Sequence, residues 1–99
     1  MLLTHALVLS QARAHIAALA DQARSEEASS AYERVLISLD RIHGDQSPDF
    51  EPIGIWLDPT FLVIVANTAL EELETFGVEP LEIELLLAGL DDARAIEGS

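Results

Sequence analysis

The chain contains no cysteine and no lysine, and only 5 glycines and 4 prolines among its 99 residues. Without cysteine it can form neither a disulfide framework nor a thiolate metal site. Its five cationic side chains, all arginines, face 18 carboxylates, which gives a formal net charge of −13 at pH 7. Because binding to phosphate groups requires cations, this imbalance argues against direct contact with nucleic acid or with an anionic membrane surface.

Long apolar runs are missing as well. The longest unbroken run spans residues 61–66, far short of the length that a membrane-spanning helix needs. Residues 6–9 are apolar, but no basic residue precedes them and polar side chains soon interrupt the stretch. We therefore expect no signal peptide and no membrane partner, and the expected compartment is the cytoplasm.

The remaining composition favours one small folded domain over residues 1–99. Apolar residues make up 49% of the chain, with leucine and alanine most abundant, which is too apolar for a disordered chain. Their spacing is helical almost throughout, at about 100° per residue. We predict an all-α fold, a small antiparallel bundle of about four helices.

Local start and stop signals place these helices. The apolar stripes of the first two are out of phase, so a turn at 25–27 must separate them, with Ser25 or Ser29 as the cap. Asp58-Pro59 and Glu79-Pro80 each mark a helix start. The predicted helices run from about 4 to 24, from the 25–27 turn to 43, from 59 to 76 and from 80 to 96. Residues 44–57 form the one longer loop, which contains proline and glycine.

Charge is unevenly distributed along the chain. Residues 1–43 have a net charge of −1, whereas residues 61–99 hold nine carboxylates and one arginine. One interpretation is a solvated face that keeps the domain soluble. The other is a surface complementary to a basic protein, since opposite charge speeds association and excludes wrong partners. The candidate partner-binding carboxylates are Glu71, Glu74, Glu82, Glu84 and Asp91.

Several apolar residues fall outside the predicted core faces. They are Leu81, Leu85 and Ile96 on helix four, Phe61 and Ile64 on helix three, and Ile37 on helix two. Either the 44–57 loop covers them, or they contact a second copy of the chain or another partner. Trp56, the single tryptophan, is either a core residue or an interface anchor. The candidate apolar anchors of a binding surface are thus Trp56, Leu81 and Leu85.

Catalysis and metal binding find little support in the residue pattern. Asp40 and His43 are spaced so that both can reach one metal ion, but the Glu-x-x-His pairs of di-iron bundles are absent. The preference of a histidine for a helix C-terminus explains the same pair without a metal ion. The chain has no Gly-x-Ser-x-Gly elbow and no glycine-rich phosphate loop. We expect no enzymatic activity and no cofactor, and Asp40 and His43 are weak metal candidates only.

Three functional hypotheses follow, in order of preference. The first is a non-enzymatic protein-binding module, an acidic inhibitor of a basic partner in the manner of an immunity protein or antitoxin. The alternative is a structural or accessory protein that self-associates as a homodimer or larger homo-oligomer through its surplus apolar residues. The minor alternative is a metal-binding helical bundle.

Overall fold

A computed structural model describes residues 3–43 and 58–98, and 91% of the described residues are helical. This confirms the prediction of a small all-α bundle. The helices are α1 (Leu3–Gln22), α2 (Glu26–His43), α3 (Pro59–Leu73) and α4 (Pro80–Gly98), with a short 3₁₀ turn at Glu74–Phe76. The predicted 44–57 loop, including Trp56, lies outside the described residues.

Side-chain caps begin two of the helices where the sequence predicts them. The Oγ of Ser25 accepts a hydrogen bond of 3.1 Å from the backbone N–H of Ala28, at the start of α2. The carboxylate of Asp58 accepts one of 2.8 Å from the backbone N–H of Thr60, with Pro59 in the first turn of α3. Each cap satisfies a backbone donor that has no partner within its helix.

The connection from α3 to α4 depends on Gly77. Its φ of +100° is left-handed, a conformation that glycine adopts without steric penalty. The predicted third helix reaches residue 76, but its last three residues tighten into the 3₁₀ turn. Val78 then donates from its backbone N–H to the carbonyl of Leu73 and is itself buried. Helices α3 and α4 are thus joined by a very short link at one end of the bundle.

The helices pack as antiparallel neighbours. Helix α1 lies against both α2 and α3, and α2 lies also against α4. Three contacts set the directions: Arg13 with Asp40, Tyr32 with Glu97, and His5 with Phe76. His5 is near the start of α1 and Phe76 directly follows α3, while Tyr32 is in the first half of α2 and Glu97 is near the end of α4. Arg13 is midway along α1 and Asp40 is near the end of α2, so the chain reverses direction at the short turn between them. Consequently α2 and α3 run in the same direction, so that His43 and Asp58 lie at opposite ends of the bundle.

The core lies along the predicted apolar stripes. Its largest fully buried side chains come from all four helices, and each is worth roughly 1.5–3 kcal/mol relative to exposure. They are Leu9, Ile16, Leu19, Tyr32, Leu39, Leu62, Val63, Leu70, Leu73 and Leu90. Small residues between them, such as Ala12 and Ala66, are also fully buried and allow the helix backbones to approach one another closely.

Candidate partner-binding surfaces

The five predicted partner-binding carboxylates are all exposed. None of them forms an ion pair within the described ranges, where the ion pair observed joins Arg13 to Asp40. Glu71 lies at the end of α3 and Glu74 in the 3₁₀ turn, while the other three lie on α4. All five are therefore accessible to another molecule.

These carboxylates do not form one continuous surface. Glu84 and Asp91 are seven residues apart, two helical turns, and share one side of α4. Glu82 precedes Glu84 by two residues, about 200° around the helix, and so faces the opposite side. Because the link at Gly77 is short, Glu71 and Glu74 lie at the same end of the bundle as the start of α4. The structure thus groups Glu84 with Asp91 and separates Glu82 from both.

Glu82 belongs instead to a groove between α2 and α4, with a volume of about 910 Å³. Its floor is apolar, formed mainly by Val35 and Ile42 of α2 and by Leu86 and Ile96 of α4. Gly89 lies in the same groove, and a Cβ atom built on it would be 2.9 Å from Cγ2 of Val35. The two helices therefore approach closely at Gly89.

Opposite charges line the two sides of this groove. Arg34 and Arg41 of α2 form what we call the basic rim, and Glu82 and Asp92 of α4 form the acidic rim. All four side chains are exposed, and none is ion-paired across the groove in the described part of the chain. The groove thus has an apolar floor between one basic edge and one acidic edge.

Leu81 and Leu85, the predicted apolar anchors on α4, are each 62% exposed, and Leu85 contributes to the groove. Ile96, which we predicted to share their outer strip, is instead half-buried against the core. The prediction for Ile96 is wrong because the end of α4 lies against α2, where Glu97 binds Tyr32. The other predicted anchor, Trp56, lies outside the described residues.

Exposed apolar side chains occur on other helices as well. Phe61 and Ile64 of α3 are 51% and 57% exposed, and Ile37 of α2 is 58% exposed. Phe61, Ile64 and Glu71 all fall within about 80° of one another around α3, so that they share its outer face. Apolar and acidic side chains are therefore combined on α3.

The weak metal candidate Asp40 has a different partner in the structure. Its Oδ1 lies 2.9 Å from Nε of Arg13, an ion pair that ties α1 to α2. The side chain of His43 lies outside what the structure describes. Among the described residues, no group of three or more histidine, cysteine, aspartate or glutamate side chains is placed to hold one metal ion. The metal hypothesis therefore gains no support from Asp40, because its carboxylate is already paired with the guanidinium of Arg13.

One buried polar contact had no signal in the sequence. The hydroxyl of Tyr32, whose side chain is fully buried, donates a 3.1 Å hydrogen bond to Oε2 of Glu97, 65 residues away. Burial and the neighbouring Glu97 charge raise the pKa of Tyr32 to about 12, against a smaller opposing effect of Arg94. The phenol therefore stays neutral at physiological pH and ties α2 to the end of α4.

No protein-family model, curated protein or solved structure matches this chain. Of the helices described, none combines the length and apolar character needed to cross a membrane.

Proposed function

We propose that this protein is a non-enzymatic acidic binding module that acts in the cytoplasm and inhibits a basic protein. One observation supports this most strongly, namely the nine carboxylates that accompany a single arginine in residues 61–99. Eight of the nine are exposed, and the ninth, Glu97, binds Tyr32. A surface of this kind attracts a basic partner and repels acidic ones.

These carboxylates are placed where they destabilise the folded protein. Their placement therefore favours a functional role over a stabilising one. Like charges repel one another, so the excess destabilises the compact state. Glu71 and Glu72 lie in the last turn of α3, where the helix dipole disfavours carboxylates and where no basic residue is present. The repulsion and the dipole penalty would both be relieved by a bound cationic surface.

The outer face of α3 has the composition of a binding surface. Phe61 and Ile64 supply exposed apolar area, and Glu71 on the same face supplies charge. In protein interfaces, apolar anchors provide much of the binding energy, whereas surrounding charges set the association rate and the choice of partner. Glu74 and the Glu84–Asp91 side of α4 extend the acidic area.

Affinity capture from the native host with charge-reversed baits tests this proposal. The site variant is Glu71→Lys, Glu74→Lys and Glu84→Lys, which leaves the α2–α4 groove unchanged. The matched control reverses three exposed carboxylates of α2, Glu26, Glu27 and Glu33, and so alters net charge equally. The wild type and the control should retain one basic protein, and the site variant should lose it. A captured partner that is acidic, or equal loss by both variants, would contradict the proposal.

A further inference from the structure

We propose that the α2–α4 groove is the docking face for a second copy of this chain, in a two-fold symmetric dimer. The groove combines an apolar floor, an exposed Leu85 and two rims of opposite charge. An occupant must therefore present apolar area between a basic and an acidic edge. The same face of another copy presents these features in the required order.

The register of α2 against α4 places the charges at matching heights. Val35 and Gly89 are in contact, and the two helices are antiparallel. Counted from that contact, Arg34 is level with residue 90 and Arg41 with residue 83. At a rise of 1.5 Å per residue, Arg34 is within about 3 Å of the level of Asp92, and Arg41 within about 2 Å of that of Glu82.

The proposed two-fold axis runs along the groove, parallel to α2 and α4. Rotation about such an axis keeps every residue at its own height. It places α2 of one copy over α4 of the other at the same height. Arg34 of each copy then faces Asp92 of the other, and Arg41 faces Glu82. Such an interface is isologous, so every contact occurs twice and the assembly closes at two copies. Leu85 becomes covered in both copies.

Other kinds of occupant match the groove less well. A basic ligand would meet Arg34 and Arg41, and an acidic ligand would meet Glu82 and Asp92. Exposed ion pairs contribute little binding energy individually, but they select the register and exclude mismatched surfaces. In the dimer, the covered leucines and groove floor supply the affinity, and the rims supply the specificity.

The dimer is tested by reversing the charges of each rim in a separate variant and then mixing the two variants. Wild type should sediment at twice the 10.8 kDa of one chain. The basic-rim variant, Arg34→Glu with Arg41→Glu, and the acidic-rim variant, Glu82→Arg with Asp92→Arg, should each sediment as monomers. An equimolar mixture of the two should recover the dimer mass, because each reversed rim again faces an opposite charge.

Matched controls carry the same charge changes outside the groove. They are Arg24→Glu with Arg94→Glu, and Glu84→Arg with Asp91→Arg, all at exposed positions; both should remain dimeric. Circular dichroism checks that every variant is folded. The proposal is overturned if wild type sediments at 10.8 kDa at all accessible concentrations. It is equally overturned if the rim variants stay dimeric or if their mixture stays monomeric.

Discussion

Replacing Tyr32 by phenylalanine removes the hydroxyl that joins α2 to the end of α4 and leaves the ring in place. The side chain is fully buried, and its hydroxyl donates to Glu97 at 3.1 Å. Because Glu97 is only half-buried, water can replace part of the lost hydrogen bond. We expect the free energy of unfolding at pH 7 to fall by about 1–2 kcal/mol, which is low for a hydrogen bond to a charged group because Glu97 is partly exposed.

The pH dependence of this contribution has a definite sign. The pKa of Tyr32 rises from 10.0 in the unfolded chain to about 12 in the folded protein. The contribution is therefore fully present below pH 10 and is lost as the pH rises toward 12. Over that interval the wild type should lose up to about 2–3 kcal/mol relative to Tyr32→Phe. This loss exceeds the contribution of the hydrogen bond, because the ionised phenol would be buried beside the Glu97 charge.

Two measurements check this expectation. Tyr32 is the only tyrosine in the chain, so the near-ultraviolet absorbance of tyrosinate reports its titration directly. The folded protein should titrate near pH 12 and the urea-unfolded protein near pH 10. Urea unfolding of the wild type and Tyr32→Phe at a series of pH values gives the stability difference. A folded-state titration near pH 10, or a Tyr32→Phe protein more stable than wild type at pH 7, would refute the reasoning.

Substitutions at four further positions test the packing and the cap of α3. Leu86→Asp should abolish the thermal unfolding transition, because an unpaired carboxylate at a site 2% exposed costs several kcal/mol, a large part of a small domain's stability. Leu85→Asp should keep that transition in circular dichroism while lowering the sedimenting mass; loss of folding in both would mean that α4 is buried on all sides. Gly89→Ala should lower the free energy of unfolding by about 1 kcal/mol in urea, since its Cβ would be 2.9 Å from Val35. The same change should be neutral or stabilising in a Val35→Ala background, and equal effects in both backgrounds would exclude the clash. Asp58→Ala should reduce stability by about 1 kcal/mol and Asp58→Asn should restore most of it, whereas an unchanged urea midpoint would mean that the cap contributes nothing.

The helices could be predicted from the sequence because their signals are local. Ser25, Asp58 and Gly77 act within a few residues of their own positions, and each is found at the helix boundary it predicts. The apolar period likewise identifies which side of a helix is buried. The 3₁₀ turn before Gly77 was not predicted, since it depends on how the last backbone carbonyls are satisfied.

The groove could not be predicted in the same way, because it depends on how two helices rotate and approach each other. Gly89 within the leucine-rich α4 is the one signal that the sequence offers, since an interior glycine often permits close packing. The hydrogen bond from Tyr32 to Glu97 spans 65 residues and has no local pattern. Ile96 was misplaced for a related reason: the period of one helix does not show which neighbour covers its flank.

The association rate constant of the captured basic partner, measured by stopped flow against salt concentration, tests the proposed acidic binding surface most directly. For wild type it should fall steeply between low and physiological salt, because screening removes electrostatic steering. At low salt, the Glu71→Lys, Glu74→Lys, Glu84→Lys variant should associate at least about tenfold more slowly and with little salt dependence. A wild-type rate constant indifferent to salt, or a triple variant that associates as fast as wild type, would contradict a binding role for the acidic half.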